Sequence, residues 1–389
     1  METKAGDPGA FACFDLGRVP SPAFVVDEVA VRQNLAILAD IRERSGVRIL
    51  LALKAFSMWS LAPLIDEYLD GYCASGLWEA RLANERFRGP ISTYSPAYKA
   101  DDLAELSQIS EHITFNNPEQ IDRWNNDSNQ KLKFDSCEIG LRINPEIALG
   151  ETEKYDPSQP HSRLGFPISH LKPKHFQHLT GIHFHNLCEQ GFDALQRTWE
   201  KVEPFIAPHF DKLKWINLGG GHHITRDDYD REALVDFLRE LKAKSGCQIY
   251  LEPGEAVALD AGILVGEILD VFDNGMQVGI TDISATCHMP DVIEAPYRPA
   301  MLGERSDGTA IRLGGPSCLA GDIIGDYILP HPAHIGQRIA FLDQAHYSMV
   351  KTNTFNGVPL PSIWLWNSES DTLECVKKFD WTEFRDRLS

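Results

Sequence analysis

Residues 48–55 read RILLALKA, a short apolar run bounded by turn residues, which is typical of a buried β-strand. Seven further runs of this kind follow along the chain, separated by segments with helical periodicity. They are GYCAS (71–75), ISTYS (91–95), HITF (112–115), CEIGLRIN (137–144), GIHFHN (181–186), WINLGGG (215–221) and CQIYLEPG (247–254). Strands that are apolar on both faces and alternate with helices predict a parallel sheet, and eight repeats predict a TIM-type (β/α)8 barrel. An open, doubly wound sheet is the alternative.

The helical segments carry their own start and stop signals. A helix is expected to begin after Asp27, its N-cap, and to end before Gly46, with apolar residues along one face between them. Apolar residues at helical spacing also predict helices at 77–87, 118–125 and 230–246.

The pattern changes after residue 262, where short β-like runs replace the helical periodicity. We therefore expect a barrel at 27–262, and a β domain of sandwich or barrel type made from 1–26 and 263–389. The connection at 145–166 is long and rich in Pro and Gly, and such loops in compact domains are usually functional. The β-like runs are MQVGITDIS, TAIRLGG, QRIAFLD and SIWLWN.

Composition excludes several classes of protein. The 389 residues are 43% hydrophobic and carry a net charge of −19, which opposes binding to nucleic acid or to an anionic membrane and favours a cationic ligand. Eight cysteines without a CxxC pair indicate reduced thiols. No export signal or long apolar stretch is evident, so we expect a cytoplasmic protein.

Reactive groups of a barrel collect where its strands end, and three candidates lie there. Lys54 ends the first run, where an ammonium among apolar neighbours either extends to the barrel mouth or acts chemically with a lowered pKa. His183 and His185 are two residues apart, so both side chains point to the same side of a strand. Zinc also suits that spacing, but no recognised ligand spacing links these histidines to Cys188, His222 or His223, and we expect no metal.

The last two strands add a glycine loop and a carboxylate. Gly219, Gly220 and Gly221 can present backbone N–H groups to a phosphate, although three glycines also suit a simple turn. Glu252 ends the eighth run, where a carboxylate beside a phosphate requires a cationic partner such as a protonated pyridine nitrogen. Together with the lysine and a histidine that stacks on a ring, these features predict a pyridoxal 5'-phosphate (PLP) site.

From about 20 to 380 the chain resembles the fold-type III, alanine-racemase-like PLP decarboxylases. The motifs ALKAFS, HFHNLCE, NLGGG, EPGE, GGPSCLAGD and AHYSMVKTNTFNG occur in that family's order. Within the family, YSPAYK (94–99), SRLGF (162–166), CHMPDV (287–292) and TFNG (354–357) are most similar to the carboxynorspermidine/carboxyspermidine decarboxylases of polyamine biosynthesis. The resemblance implies release of CO2 from such a substrate to give norspermidine or spermidine.

The resemblance also implies roles for individual residues. Lys54 would bind PLP covalently, His185 would stack on its ring and Glu252 would pair with the ring nitrogen. The phosphate would be held by Gly219, Gly220, Gly221 and Tyr347.

Residues beyond the cofactor are implied in the same way. Cys318 would cross from the partner subunit to act near the substrate Cα, which requires a homodimer with shared active sites. Glu255, Asp291 and Asp322 are the candidate substrate-binding residues, and Asp322 would also support the loop of Cys318. Two of these carboxylates, Glu255 and Asp291, would match the two ammonium groups of a triamine.

Two departures from the related enzymes leave alternatives open. Ornithine and diaminopimelate decarboxylases have EPGR where Glu255 ends EPGE, and a serine where this chain has Cys188. The alternatives are therefore a diaminopimelate or ornithine decarboxylase, or a non-catalytic PLP-binding homologue. The roles of His183, Cys188 and Arg163, and the preferred carboxylated triamine, stay open.

Overall fold

The computed structural model describes residues 3–4, 6–126, 137–150 and 152–389. It divides into two compact units, one of Asn34–Val257 and one of Met1–Gln33 with Ala258–Ser389. The sequence places the boundaries of the barrel domain at residues 27 and 262, and these boundaries stay a prediction.

The first unit contains a closed barrel of eight parallel strands within the described residues. Each strand pairs with the next in chain order, including β5 with β6, which the long loop connects, and the pairing of β8 with β1 closes the ring. The (β/α)8 prediction is therefore confirmed, and the open sheet is wrong. The strands are β1 Arg48–Ala52, β2 Gly71–Ala74, β3 Ile91–Tyr94, β4 His112–Phe115, β5 Glu138–Asn144, β6 Gly181–His183, β7 Trp215–Asn217 and β8 Gln248–Leu251.

Helices surround these strands, and local chemistry sets their ends. Asp230 caps one helix by accepting a hydrogen bond from the backbone N–H of Ala233, and that helix ends at Gly246, whose φ of +69° favours glycine. The helices are Glu28–Ser45, Ala62–Tyr68, Leu77–Arg86, Ala100–Ile109, Pro118–Asn126, Phe192–Ile206, Arg231–Ser245 and Glu255–Ala258.

One large aromatic side chain fills the amino-terminal end of the barrel. Trp215 begins β7 and is fully buried, with its ring stacked on His112 at a centroid distance of 4.5 Å. A Cβ atom at Gly140 of β5 would lie only 2.4 Å from this indole, and a Cβ atom at Gly181 of β6 only 1.9 Å from it. Both strands therefore need glycine at these positions. The indole and the imidazole of His112 close this end, whereas Lys54, His185 and Glu252 lie at the opposite, carboxyl end.

The second unit is a mixed sheet, which confirms the predicted β domain. Its longest strand, Gly262–Asp273, pairs antiparallel with Ala23–Asp27, and apolar residues such as Phe24, Leu264 and Phe341 form the core beside it. The sheet order is Ile323–Tyr327, Ile311–Gly314, Gln277–Thr281, Gly262–Asp273, Ala23–Asp27, Ser362–Asn367 and Thr372–Lys377, with Arg338–Phe341 also paired to Gly262–Asp273. Short helices are Ala285–His288, Asp291–Glu294, Ser348–Lys351 and Trp381–Asp386.

Candidate active site

Polar side chains gather at the carboxyl ends of the barrel strands. The ladder pairs Arg142 with His183 and His183 with Asn217, so three inward-facing polar residues lie at one level of the barrel. The polar residues at or just after the strand ends are Lys54, Cys73, Tyr94, Asn116, Arg142, His183, His185, Asn217 and Glu252.

Lys54 and His185 are in direct contact, and a backbone donor fixes the protonation of the imidazole. The N–H of Gly220 donates to Nδ1 of His185 at 2.9 Å, so Nδ1 carries no hydrogen and a neutral ring has its hydrogen on Nε2. That Nε2 lies 3.1 Å from Nζ of Lys54. Because Nε2–H is the donor in this contact, Nζ accepts, and only an uncharged amine can accept a hydrogen bond.

The surroundings of both groups favour the same neutral state. Burial lowers the pKa of Lys54, and the nearby guanidinium of Arg142 lowers it further. Burial also holds the pKa of His185 well below its usual value, with Lys54 and Arg142 contributing to the shift. The amine of Lys54 is therefore available as a nucleophile.

Glu252 lies at the end of β8 with a partner on each carboxylate oxygen. Nδ2 of Asn217 donates to Oε1 at 2.6 Å, and Nε2 of His183 lies 3.4 Å from Oε2. Burial alone would raise the pKa of Glu252, but His183 and the hydrogen bond from Asn217 lower it to about 2. The interior of the barrel thus holds a carboxylate that is ionised at neutral pH.

Arg142 and Tyr94 complete this side of the barrel mouth, and the sequence reasoning missed both. The guanidinium of Arg142 donates to the backbone oxygen of His185 at 2.7 Å, and its Cζ lies 4.5 Å from the ring centroid of Tyr94. The arginine is 5% exposed, so its charge lies in the barrel interior. The available signal was an arginine between Leu141 and Ile143, in the apolar part of the run CEIGLRIN.

The glycine loop after β7 is tightly packed, and two of its backbone N–H groups already donate hydrogen bonds within the protein. A Cβ atom at Gly220 would lie 2.0 Å from the backbone oxygen of Glu252, and Gly219 and Gly221 have φ of +70° and +85°. The N–H of Gly219 donates to Asn217, and that of Gly220 to His185.

The backbone donors that remain in this loop are those of Gly221 and His222. Neither N–H donates to another described residue. Two consecutive N–H groups in a loop of this kind form a concave anion site. The loop therefore fits a phosphate through the N–H groups of Gly221 and His222. Of the three glycines that the sequence suggested, only Gly221 has a backbone N–H that donates to no other described residue.

Glu255 is paired with a second histidine. Its Oε1 lies 3.3 Å from Nε2 of His223, and the side chains are 15% and 10% exposed. The neighbouring His222 is buried, with Nδ1 at 2.6 Å from the hydroxyl of Tyr229. Among the described residues, no group of three His, Cys, Asp or Glu side chains has a geometry that could hold a metal ion.

In the second unit, Asp322 organises the loop that carries Cys318. Asp322 is 3% exposed and accepts hydrogen bonds from the hydroxyls of Ser284 at 2.8 Å and Ser317 at 2.6 Å. Cys318 itself is exposed, and its backbone N–H donates to Oδ1 of Asn356 at 2.9 Å. These contacts fit Asp322 as a support for the loop, whereas its contact with a substrate stays a prediction.

Asp291 already has a cationic partner in this unit. Nζ of Lys351 donates to Asp291 at 2.6 Å and to Glu294 at 2.8 Å. A substrate amine that used Asp291 would therefore have to share it with Lys351 or displace that lysine. Tyr347 directly precedes the helix Ser348–Lys351, which contains this lysine, and has a φ of +38°.

The two remaining residues whose roles the sequence left open lie in loops of the first unit. The backbone oxygen of Arg163 accepts a hydrogen bond from Asn116 at 3.0 Å, and the backbone N–H of Cys188 donates to Gln190 at 3.4 Å. Neither contact involves the reactive atom of the residue.

A family model described as "Pyridoxal-dependent decarboxylase, C-terminal sheet domain" matches residues 23–345. The carboxynorspermidine/carboxyspermidine decarboxylase of Campylobacter jejuni is 37% identical, over 94% of this chain and 98% of the relative. A carboxyaminopropylagmatine decarboxylase of Synechocystis sp. is 38% identical, over 96% of each chain. No helix among the described residues is long and apolar enough to cross a membrane.

A solved structure agrees with these relatives. The crystal structure of carboxynorspermidine decarboxylase from Campylobacter jejuni, complexed with norspermidine, superposes with a TM-score of 0.87 at 36% identity. The match covers 95% of this chain and all of the other. The chain therefore belongs to the pyridoxal-dependent decarboxylases and groups there with the carboxynorspermidine/carboxyspermidine decarboxylases.

Proposed function

We propose that this enzyme uses PLP to release CO2 from carboxynorspermidine or carboxyspermidine, forming norspermidine or spermidine in polyamine biosynthesis. The observation that carries the proposal is the contact of a neutral Lys54 with His185, close to the ionised Glu252, in a chain with these relatives.

The residues of the barrel suit the cofactor. PLP, when bound, supplies a conjugated, protonated ring that accepts the electron pair left at the substrate Cα as CO2 departs. Lys54 would hold it covalently, and Glu252 would keep the ring nitrogen protonated. The N–H groups of Gly221 and His222 would bind the phosphate, and the resemblance adds Tyr347 to that set.

His185 has two roles in this proposal. Its ring would pack against the cofactor ring, and its Nε2–H keeps the lone pair of Lys54 directed by donating to Nζ. Because the N–H of Gly220 fixes the tautomer, the imidazole holds this orientation without a carboxylate partner.

Cys318 would complete the reaction by donating its Sγ proton to the substrate Cα after CO2 has left. We propose that it does so from the partner subunit, so that each active site of a homodimer needs both chains. Its exposure and its fixed backbone suit a residue that meets another chain.

The acidic residues would select the substrate. A triamine carries ammonium groups beyond its amino-acid end, and burying them without anionic partners costs several kcal/mol. Glu255 and Asp291 are the proposed partners of the ammonium groups, with Lys351 competing for Asp291. Asp322 would bind substrate beside the loop of Cys318. The net charge of −19 also attracts polycations.

A second candidate substrate is carboxyaminopropylagmatine, because the Synechocystis relative acts on it and is as similar to this chain as the Campylobacter relative. Diaminopimelate is less favoured, since two relatives named for it are 24% identical over 88% of this chain and 31% identical over only 66% of it. A non-catalytic role is less favoured because both Lys54 and Cys318 are present.

Chemical trapping tests the cofactor part of this proposal. Purified protein loaded with PLP would be reduced with borohydride, digested and analysed by mass spectrometry. We expect the pyridoxyl group on the peptide that contains Lys54. Labelling of another lysine, or of none, would contradict the proposed site.

A further inference from the structure

His183 is a buried residue that the proposed reaction has not used. Its side chain is 3% exposed, and its Nε2 lies 3.4 Å from Oε2 of Glu252. Two facing lone pairs would repel, so a neutral ring places its hydrogen on Nε2, toward the carboxylate. Neither Nδ1 nor Nε2 has a hydrogen bond of regular geometry to another described residue, so the contact with Oε2 of Glu252 is a charge–dipole contact.

We propose that His183 is a positioning residue that holds the carboxylate of Glu252 ionised and directed at the ring nitrogen of PLP. The inference rests on the proposed function, since it assumes that Glu252 faces the cofactor ring.

Two side chains hold the carboxylate of Glu252. Asn217 donates to Oε1 at 2.6 Å, and Asn217 is itself fixed because its Oδ1 accepts from the N–H of Gly219 at 2.9 Å. Nε2 of His183 lies 3.4 Å from Oε2. Without His183, Oε2 loses this contact, and the direction of the carboxylate is less constrained.

The charge around the pair also favours this role. Within the part of the chain that the structure describes, the positive or potentially positive groups that act on Glu252 or His183, besides histidines, are Lys54 and Arg142. Burial lowers the pKa of Lys54, so it supplies little charge in the cofactor-free protein. The groups around the pair are Lys54, Cys73, Arg142 and His185, whereas His112 acts on Glu252 from the opposite end of the barrel.

The direction of the effect follows from the pKa of Glu252. With His183 present that pKa is about 2, so the carboxylate is ionised throughout the range in which the protein can be studied. Removing His183 leaves burial less opposed, and burial raises a carboxyl pKa. A variant without His183 should therefore lose more PLP affinity as the pH falls, because a protonated Glu252 no longer stabilises a protonated ring nitrogen.

The test compares three variants of the full-length protein. His183→Phe keeps the ring and removes both nitrogens, whereas His183→Gln keeps an N–H donor at a similar distance from the backbone. His112→Phe is the matched control, since His112 is also buried in the barrel and lies 3.8 Å from a carboxylate, Glu138, but at the opposite end.

The readout is the apparent Kd of PLP, measured by absorbance titration of the cofactor-free protein from pH 5.5 to 8. Dividing by the wild-type value at each pH removes the titration of PLP itself. For His183→Phe, the ratio of variant Kd to wild-type Kd should rise about tenfold as the pH falls from 8 to 5.5. A tenfold change corresponds to the energy of one hydrogen bond to a charged group. For His183→Gln and His112→Phe the ratio should stay constant.

Equal behaviour of His183→Phe and His112→Phe would overturn the inference, as would a ratio that does not change with pH. If His183→Phe does not fold, His183→Met removes the donor with similar volume and is judged by the same ratio. Because the readout is cofactor affinity, a wild-type protein that binds PLP but releases no CO2 would refute the proposed function and leave this test intact.

Discussion

Nζ of Lys54 lies 3.1 Å from Nε2 of His185, whose other nitrogen accepts a hydrogen bond from the backbone N–H of Gly220. A main-chain donor cannot change its role, so this one bond determines the imidazole tautomer and, through it, the neutral state of the lysine. The amine of Lys54, the proposed nucleophile, is thus kept neutral through the same loop whose Gly221 and His222 N–H groups would bind the phosphate.

Replacing Lys54 tests the covalent attachment. Lys54→Ala should lose the visible absorption band of enzyme-bound PLP, and its turnover should fall by at least about a thousandfold, because no amine replaces the nucleophile. Absorbance spectra and CO2 release measure the two effects. Lys214→Ala, which changes a 66% exposed lysine, is the control and should behave as wild type. An unchanged band in Lys54→Ala would exclude this lysine as the PLP attachment site.

The glycine loop can be tested through stability. A Cβ atom at Gly220 would lie 2.0 Å from the backbone oxygen of Glu252, and backbone cannot move aside as a flexible side chain can. Gly220→Ala should therefore lower the free energy of unfolding by about 1–3 kcal/mol. Urea unfolding of the cofactor-free protein measures it.

Gly76→Ala is the control for that measurement, because a Cβ atom at Gly76 would have no neighbour within 4 Å. Because Gly76 is the N-cap of the helix Leu77–Arg86, where alanine is less favourable than glycine, we expect it to lower the free energy of unfolding by less than about 1 kcal/mol. Equal stability of the two variants would mean that the loop can relax and is not held against β8.

Only part of this site could be predicted from the sequence. Lys54, His185 and Glu252 follow from their positions at the ends of apolar runs, and the structure brings Lys54 and His185 together. Arg142 could not be placed, because its inward direction depends on the strand register that pairs it with His183. The ion pair of Asp291 with Lys351 depends on packing between segments 60 residues apart.

The strand ends show a related limit. The runs ending at 186 and 221 predict strands longer than β6 and β7, which end at His183 and Asn217. Beyond Asn217 the chain leaves the ladder, because Gly219 has a positive φ and its N–H bonds the Asn217 side chain. Apolar composition alone does not reveal where such a turn starts.

Mixing two inactive variants tests the shared active site. If Cys318 acts on the partner's barrel, a heterodimer of Lys54→Ala and Cys318→Ala has one site with both residues intact and one site with neither. Random exchange of subunits then restores about one quarter of wild-type activity in a two-fold dimer.

Mixing Lys54→Ala with the double variant should restore nothing, and serves as the control. The measurement is CO2 release after subunit exchange, with heterodimers confirmed by mass spectrometry. If confirmed heterodimers of the two single variants stay inactive, each site is built from one chain.

The acidic residues can be tested through substrate kinetics. Glu255→Gln and Asp291→Asn should each lower kcat/KM for the carboxylated triamine about tenfold, because a charge-assisted hydrogen bond to an amine is lost. The absorption spectrum of bound PLP should stay the same. Glu294→Gln breaks the other ion pair of Lys351 and is the control, expected within about twofold of wild type. Wild-type kcat/KM in both acidic-residue variants would remove these residues from the substrate site.

The central claim concerns the substrate, and CO2 release from five candidates measured side by side tests it most directly. The candidates are carboxynorspermidine, carboxyspermidine, carboxyaminopropylagmatine, diaminopimelate and ornithine. We predict the highest kcat/KM for carboxynorspermidine or carboxyspermidine, at least about a hundredfold above diaminopimelate and ornithine, because unpaired acidic groups would penalise a substrate that lacks the amines. The two triamine precursors differ by one methylene, so their kcat/KM values should differ by about 200-fold at most. A highest kcat/KM for any of the other three, or no CO2 release from a protein that binds PLP, would contradict the claim.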